Sequence, residues 1–310
     1  MKNEQTIKRG AVTTAPVGPA SLAGRILAEA VALLLISVAC GGRAWAITDG
    51  EPDGVRHPNV GAVIVYHPLY GIVPLFSGTL VHERVFLTAG HGVAPIVAGE
   101  VTLLGVSFEP ELYMDPATWW PVTQAAYSYT GVRPGADPNH TDIGAFILKD
   151  PVTSVTPATL PTADFLDDLK RQGQLKAGPQ GTRFTVVGYG WGVDFPPPEE
   201  TWDYEPIPVE YDGQTVLFWG GQRNVAQSGY LGLNDVWLDL NGNPAAGYGG
   251  TAHGDSGGPV FWTDPATGDE TLVSMTAWGG SLVANGWYYR IDTVESLNFI
   301  QNVIAGLGAK

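Results

Sequence analysis

Six consecutive residues, Gly254-Asp255-Ser256-Gly257-Gly258-Pro259, have the types needed to hold a nucleophile on a tight turn. Glycine allows backbone angles that side chains disfavour, and it lets a substrate approach the main chain closely. In such a turn the N–H groups of Gly254 and Ser256 can point together at a developing oxyanion. Because these are also common turn residues, a Gly-rich hairpin loop is the alternative. A base and an orienting acid elsewhere in the chain would decide between them.

The candidate base is His91, which follows an apolar strand pattern and two small residues. Small neighbours leave room for an imidazole at a strand end beside a cleft. A structural histidine is the alternative, and five further histidines compete: His57, His67, His82, His140 and His253. The short spacing between His253 and Ser256 does not direct that ring at the hydroxyl. His140 lies in a polar loop, which predicts a solvated side chain.

The candidate acid is Asp142, at the head of the apolar run 143–148. A lone aspartate before a strand is most often a turn residue. Buried beside an imidazole, the same carboxylate would hold the tautomer of the ring and stabilise the imidazolium. The run therefore supplies the third group that a nucleophilic serine needs.

Taken together, Leu87-Thr-Ala-Gly-His91, Asp142-Ile-Gly and Gly254–Pro259 resemble the three signature segments of trypsin/chymotrypsin-like serine proteases, of the secreted bacterial type. They come in that family's order, with the candidate groups separated by 51 and 114 positions in the chain. Further likeness, including the final helix, extends over most of 47–310: the segments are 181–191, 277–279 and 285–288. Three motifs in this order are far more specific than any one of them.

The resemblance implies an all-β chain of two packed antiparallel six-stranded β-barrels followed by a C-terminal α-helix. The N-terminal barrel would span 47–162 and carry His91 and Asp142. The C-terminal barrel would span 163–310 and carry Ser256 and the terminal helix. The family's roles make Ser256 the nucleophile, His91 the base and Asp142 its orienting acid. The N–H groups of Gly254 and Ser256 would form the oxyanion hole.

The family also implies an activation pair and a substrate pocket. In it a freed apolar α-amine pairs with the aspartate before the nucleophile, and here the matching residues are Ile47 and Asp255. The residues that match the pocket are Gly250, Ala277, Trp278, Gly279 and Gly286. A glycine at 250 implies a neutral pocket for apolar or aromatic side chains. Ala277 stands where a serine beside the triad is usual, and Ala252 where a cysteine is common.

Residues 1–46 have the layout of a secretory signal peptide: basic residues, the apolar run 30–40, then Ala44-Trp45-Ala46. We therefore expect a secreted protein, and cleavage after Ala46 would expose Ile47 with no separate propeptide. A periplasmic location and a lipid anchor on Cys40 are the alternatives. Because Cys40 is the only cysteine, the mature chain would be cysteine-free and without disulfides.

The net charge of the chain indicates which classes of partner it can bind. Without residues 1–46 the chain keeps 11 basic and 29 acidic residues, a net charge of about −18. Such a surface disfavours nucleic acid and anionic membranes. We expect a monomer that binds polypeptide substrates, with protein inhibitors as a further class of partner and no cofactor or metal. The run Asp239-Leu-Asn241-Gly-Asn243 is interpreted as a turn, because a calcium loop would need an acidic residue where Gly250 stands.

Most of the remaining chain is rich in Gly, Pro and β-branched residues and predicts short strands. A linker is expected at 150–182 with a short helix at 163–171, and a final helix at 294–304. Residues 109–140 are interpreted as a long surface connection with some strand, and 194–212 as an exposed loop. The function predicted from the sequence is a secreted serine endopeptidase; the alternative is an inactive protease-like binding protein. An esterase of the α/β type is disfavoured, because it places serine first.

Overall fold

The computed structural model describes residues 47–131, 139–190, 207–280 and 283–308. The expected signal peptide and Cys40 lie outside these residues. Strands dominate and are joined by three α-helices, in the chain order β1 Glu51–Pro52, β2 Val60–His67, β3 Gly71–His82, β4 Val85–Thr88, α1 Gly90–Ala98, β5 Thr102–Ser107, β6 Glu111–Leu112, β7 Val122–Tyr129, β8 Asp142–Leu148, α2 Phe165–Arg171, β9 Arg183–Gly188, β10 Ile207–Tyr211, β11 Gln214–Phe218, β12 Gly221–Gln222, β13 Asn224–Leu233, β14 Trp237–Asn241, β15 Pro259–Thr263, β16 Glu270–Gly280, β17 Val283–Arg290 and α3 Val294–Gly306.

The C-terminal sheet closes into a six-stranded antiparallel barrel. Its order is β13-β14-β17-β16-β15-β9, and β9 pairs back with β13 over six residue pairs, from Asn224↔Gly188 to Gly229↔Arg183. Closure leaves no free edge between these strands. The barrel interior is filled by Phe184, Val186, Leu238, Leu240, Val260 and Tyr288.

The N-terminal sheet curls into a half-barrel of six antiparallel strands, in the order β5-β2-β3-β4-β8-β7. Its two ends meet only at an isolated bridge, where Val106 and Trp120 exchange N–H···O hydrogen bonds of 3.0 and 2.7 Å. The enclosed core is aliphatic and aromatic: Val63, Leu80, Phe76, Phe86 and Phe146. The expected all-β fold with a terminal helix is confirmed, with one sheet fully closed and the other a half-barrel.

A hairpin formed by β10 and β11 extends the N-terminal sheet from a later part of the chain. Its turn is Asp212-Gly213, both at positive φ (49° and 72°), as a two-residue hairpin turn requires. Phe218 then pairs with Ile72 in β3, and the rings of Tyr66 and Tyr211 stack at 5.1 Å. The interpretation of 194–212 as an exposed loop is wrong for 207–211, which form the largely exposed strand β10, and 194–206 lie outside the described residues. The Asp-Gly turn was the signal for a hairpin.

Two of the helices were expected from the sequence. In α3, the Thr293 side chain accepts a hydrogen bond from the Ser296 N–H (3.2 Å), which caps the helix, and Ile300 is buried. In α2, Asp164 precedes the first turn, and the Leu166 N–H donates to the Asp292 carboxylate (2.8 Å). Among the described helices, none is long and apolar enough to cross a membrane.

A buried ion cluster joins the two sheets. Arg223, the residue before β13, is 1% exposed and donates to the Asp53 carboxylate (2.8 Å) and to the carbonyl groups of Val60 and Phe108 (3.0 Å each). The other Asp53 oxygen binds Nδ1 of His57, whose Nε2 lies 3.2 Å from the Glu270 carboxylate. Replacing Asp53 would leave the buried Arg223 without its carboxylate, and replacing Arg223 would leave His57 as the buried partner of Asp53.

Candidate active site

The imidazole of His91 is placed by the start of α1. A Cβ atom on Gly90 would lie 2.6 Å from the Ser128 carbonyl oxygen and 2.9 Å from that of Ile143, so only glycine lets the helix start lie this close to β7 and β8. The following residue, His91, is therefore held beside the head of β8, where Asp142 begins the strand. This explains why a small residue must precede the histidine.

Three side chains from distant parts of the chain come together at this point. Nδ1 of His91 lies 2.8 Å from Oδ2 of Asp142, and Nε2 lies 2.9 Å from Oγ of Ser256. Oδ1 of Asp142 accepts a hydrogen bond from the backbone N–H of His91 at 2.8 Å, so the carboxylate binds both the ring and the main chain of His91. Because a carboxylate can only accept, the proton sits on Nδ1, and Nε2 is free to accept from the Ser256 hydroxyl.

Exposure differs along this line of contacts. Asp142 is buried (3% exposed), whereas His91 and Ser256 are partly exposed and open towards solvent. Tyr129 pairs with Asp142 across β7 and β8, and its ring centroid lies 6.1 Å from that of His91. Burial and the neighbouring Asp142 charge raise the pKa of Tyr129. The tyrosine therefore stays a neutral, apolar wall beside the imidazole.

The nucleophile loop, defined as residues 252–258, has the shape that an oxyanion site needs. Gly254 has φ +87° and Gly257 has φ +77°, a region that side chains disfavour. Within the described chain the N–H groups of Gly254 and Ser256 donate to no other residue, while those of Asp255, Gly257 and Gly258 do. Two amide donors beside the serine hydroxyl are thus left available for an incoming oxygen atom.

Asp255 points away from the serine into the protein. Its carboxylate accepts from the N–H groups of Gly190 (2.8 Å) and Ala252 (2.7 Å), and burial raises its pKa well above the usual range. Ile47 is fully buried, and the next residue, Thr48, forms a two-way backbone bridge with Gly250 (2.8 and 3.1 Å). The segment after Ile47 is therefore anchored just before the nucleophile loop, although Ile47 is not among the hydrogen-bond partners of Asp255 in the described structure.

Among the expected pocket residues, Gly279 and Gly286 face each other. A Cβ atom on Gly279 would lie 3.5 Å from Cα of Gly286, and a Cβ on Gly286 would lie 2.7 Å from the Tyr288 hydroxyl. That hydroxyl is 3.1 Å from Oγ1 of Thr251, the residue after Gly250. Burial raises the pKa of Tyr288, so this buried pair is neutral. Thr251 and Tyr288 were not singled out in the sequence, although Tyr288 follows Gly286 by two residues and so shares its face of β17.

The segment 277–279 lies on β16 at an irregularity. Thr276 pairs with Tyr288 and Trp278 with Trp287, so Ala277 is an extra residue in a β-bulge. Trp278 is 45% exposed, and Ala277 is half-buried with no side-chain group to reach Asp142. The bulge leaves the apolar indole of Trp278 on the protein surface.

The chain is similar in structure to the scabies mite inactivated protease paralogue S-I1, with a TM-score of 0.52 at 18% identity, over 83% of this chain and 99% of that chain. No family model and no curated protein matches the sequence. The fold is chymotrypsin-like. At this identity the likeness shows the fold alone.

Within this chymotrypsin-like fold, two sequence interpretations need comment. His140 is buried (4% exposed), with its ring 4.9 Å from that of Trp237, so the expectation of a solvated side chain is wrong; Trp237 comes from a strand far along the chain. The run 239–243 is the end of β14 and a turn in which the Asn241 side chain accepts the Asn243 N–H (2.9 Å). Within the described residues no group of three or more His, Cys, Asp or Glu is placed to hold a metal ion.

Proposed function

We propose that the protein is a serine endopeptidase. The observation that carries the proposal is the unbroken line of contacts from Asp142 through His91 to the Ser256 hydroxyl, at 2.8 and 2.9 Å. Each contact is within hydrogen-bond reach, the geometric condition for an activated serine nucleophile. Two free amide donors in the same loop supply the second requirement of acyl transfer.

The reaction follows from these positions. Ser256 Oγ attacks the carbonyl carbon of a peptide bond while Nε2 of His91 takes its proton, and Asp142 stabilises the imidazolium that forms. The N–H groups of Gly254 and Ser256 hydrogen-bond the oxyanion. His91 then gives the proton to the leaving amine, which departs and leaves an acyl-enzyme. Water, deprotonated by His91, attacks the ester and releases the acid.

Primary specificity is proposed to be for neutral, apolar or aromatic side chains. Gly250, Gly279 and Gly286 leave the site without a charged group, and the hydroxyl groups of Thr251 and Tyr288 already pair with each other at 3.1 Å. A substrate lysine or arginine would find no buried carboxylate from these residues to balance its charge. Cleavage of a peptide library tests this: a preference for Lys or Arg would contradict it.

We also propose that secretion and activation are one event, and that the product is a monomer acting on polypeptides. Asp255 is a buried carboxylate with a raised pKa and no cation among its described partners. A freed Ile47 α-amine would supply that cation, and Ile47 already lies buried beside the loop. N-terminal sequencing of secreted protein is the test. A mature start at Cys40, or far from Ile47, would refute the proposal.

The alternative is an inactive protein of the same shape, favoured by the similar structure of the scabies mite paralogue, which is an inactivated protease. Labelling with a fluorophosphonate distinguishes the two, because the reagent reacts only with an activated serine. We expect wild type to be labelled and Ser256→Ala to be unlabelled. Absence of label on correctly processed wild type would favour the binding protein.

A further inference from the structure

Ser77 in β3 is a buried hydroxyl residue that the proposed reaction does not use. It is 0% exposed and lies against the nucleophile loop of the other sheet. Its backbone N–H donates to the Ser256 carbonyl (2.9 Å), and its Oγ lies 3.1 Å from the Gly254 carbonyl oxygen. The N–H of Tyr189 donates to the same Oγ at 2.9 Å.

The direction of these hydrogen bonds is fixed by chemistry. An amide N–H can only donate, so Oγ of Ser77 accepts from Tyr189 and its single hydrogen goes to the Gly254 carbonyl. The hydroxyl is therefore held in one orientation. Alanine at this position would leave the partly buried Gly254 carbonyl without this donor and the buried Tyr189 N–H without an acceptor.

The two carbonyl groups that Ser77 holds belong to Gly254 and Ser256, whose N–H groups are the proposed oxyanion donors. Neither the Gly254 N–H nor the Ser256 N–H has an acceptor in the described structure, so those donors are not oriented by hydrogen bonds of their own. Gly254, at φ +87°, also lacks a side chain to restrict its backbone angles. The hydrogen bonds from Ser77 to these carbonyl groups restrict the backbone angles of Gly254 and Ser256. Those angles set the direction of the two N–H groups.

Ser77 is in turn tied to the strand that leads to His91. Oγ1 of Thr88, fully buried, donates to the Ser77 carbonyl at 2.7 Å. The fit is close, since a Cβ on Gly257 would lie 2.1 Å from Oγ1 of Thr88 and 2.6 Å from the Ser77 carbonyl oxygen. The histidine-bearing sheet and the nucleophile loop are thereby locked in one relative position.

We propose that Ser77 is a positioning residue that sets the oxyanion-binding geometry of the nucleophile loop from the opposite sheet, an inference that rests on the proposed protease function. Ser77 touches no reacting atom; it acts through the carbonyl groups of Gly254 and Ser256. Its loss weakens binding of the tetrahedral, anionic transition state more than binding of the planar substrate.

The test compares Ser77→Ala with Ser296→Ala, a matched variant in α3 whose buried hydroxyl donates to the Arg290 carbonyl (2.8 Å) and has no described hydrogen bond to the nucleophile loop. For Ser77→Ala we expect kcat for a peptide substrate to fall about tenfold to a hundredfold with KM within about twofold. Affinity for a peptide boronic acid should fall by the same factor, and affinity for a product peptide should not change. Ser77→Cys, with a weaker donor, should lie between, and it serves if Ser77→Ala does not fold.

Hydrogen exchange of 252–258 provides a readout that does not need activity. Faster exchange in Ser77→Ala than in wild type and Ser296→Ala supports the positioning role, whether or not wild type reacts with fluorophosphonate. Failure of wild type to react with fluorophosphonate refutes only the protease function. If wild type is active and kcat is unchanged in Ser77→Ala and Ser77→Cys, the proposal is overturned whatever the exchange rate. If wild type is inactive, unchanged exchange overturns it.

Discussion

Raising the pH from about 6 to about 9.5 should weaken the fold through one side chain, His57. Burial disfavours the charged imidazole, but the hydrogen bonds and charges of Asp53 and Glu270 outweigh it and raise the pKa of His57 from 6.5 to about 9. Arg223 and Arg56 also face Asp53. The folded protein therefore holds a proton that the unfolded chain releases.

The size of the stability change follows from the pKa shift of His57. His57 is 8% exposed, so solvent screens the pair little. At about 1.4 kcal/mol per pKa unit, the raised pKa corresponds to about 3 kcal/mol. Because the folded-state pKa lies above the ordinary value, this stabilisation is complete below pH 6.5 and is lost as the pH rises through about 9.

Urea unfolding at a series of pH values measures the effect, with His57→Gln as the comparison. The free energy of unfolding of wild type should fall by about 3 kcal/mol across the range, relative to a variant whose residue 57 cannot titrate. All other titrating groups are common to both proteins and cancel in the difference. Two curves that run parallel from about pH 6 to about pH 9.5 would refute the assignment of the proton to His57.

Three further substitutions test the site and the packing. Asp142→Asn should lower kcat by about 10⁴-fold with little change in KM, because an amide cannot hold the required tautomer; peptide hydrolysis measures it, and an unchanged kcat contradicts the proposed role. Arg223→Met should cost about 3–5 kcal/mol in urea unfolding, because Asp53 keeps only His57 as a buried partner and the carbonyl groups of Val60 and Phe108 lose their donor; a loss under about 1 kcal/mol would show that the cluster stabilises little. Gly257→Ala should lower the thermal midpoint well beyond Gly268→Ala, since both have positive φ but only the first meets atoms within 4 Å; equal shifts would contradict the packing argument.

The sequence predicted the features that reside in local segments. The β-rich runs, the terminal helix and the three motifs around His91, Asp142 and Ser256 are each readable within a few residues. The partners of Ser77 are not, since Gly254 lies 177 residues away and Tyr189 lies 112 away. The ion cluster is hidden for the same reason, because Arg223 and Asp53 are 170 residues apart. Contacts at such separations are set by the register of whole strands, which no local pattern encodes.

Other differences between the predicted and the observed structure arise where two local sequence signals compete. The acidic, proline-rich composition of 194–212 predicts an exposed loop, and this outweighed the Asp-Gly turn that starts β11. The strand β13 mixes polar and small residues, yet most of it is buried, because it pairs with strands on both sides in a closed barrel. Its lack of alternation removes the signal on which strand prediction depends.

The pairing of β1 with β13, and of β11 with β3, has a consequence for the order in which the chain is made. The first sheet leaves the ribosome early, but its hairpin partner at Phe218 is synthesised only after β9. Likewise, β1 is synthesised early, but its pairing partners Asn224 and Val225 are synthesised much later. Neither half can complete its hydrogen bonding alone, so the final structure is reached only when nearly the whole chain is available, and early release would leave strand edges open to other molecules.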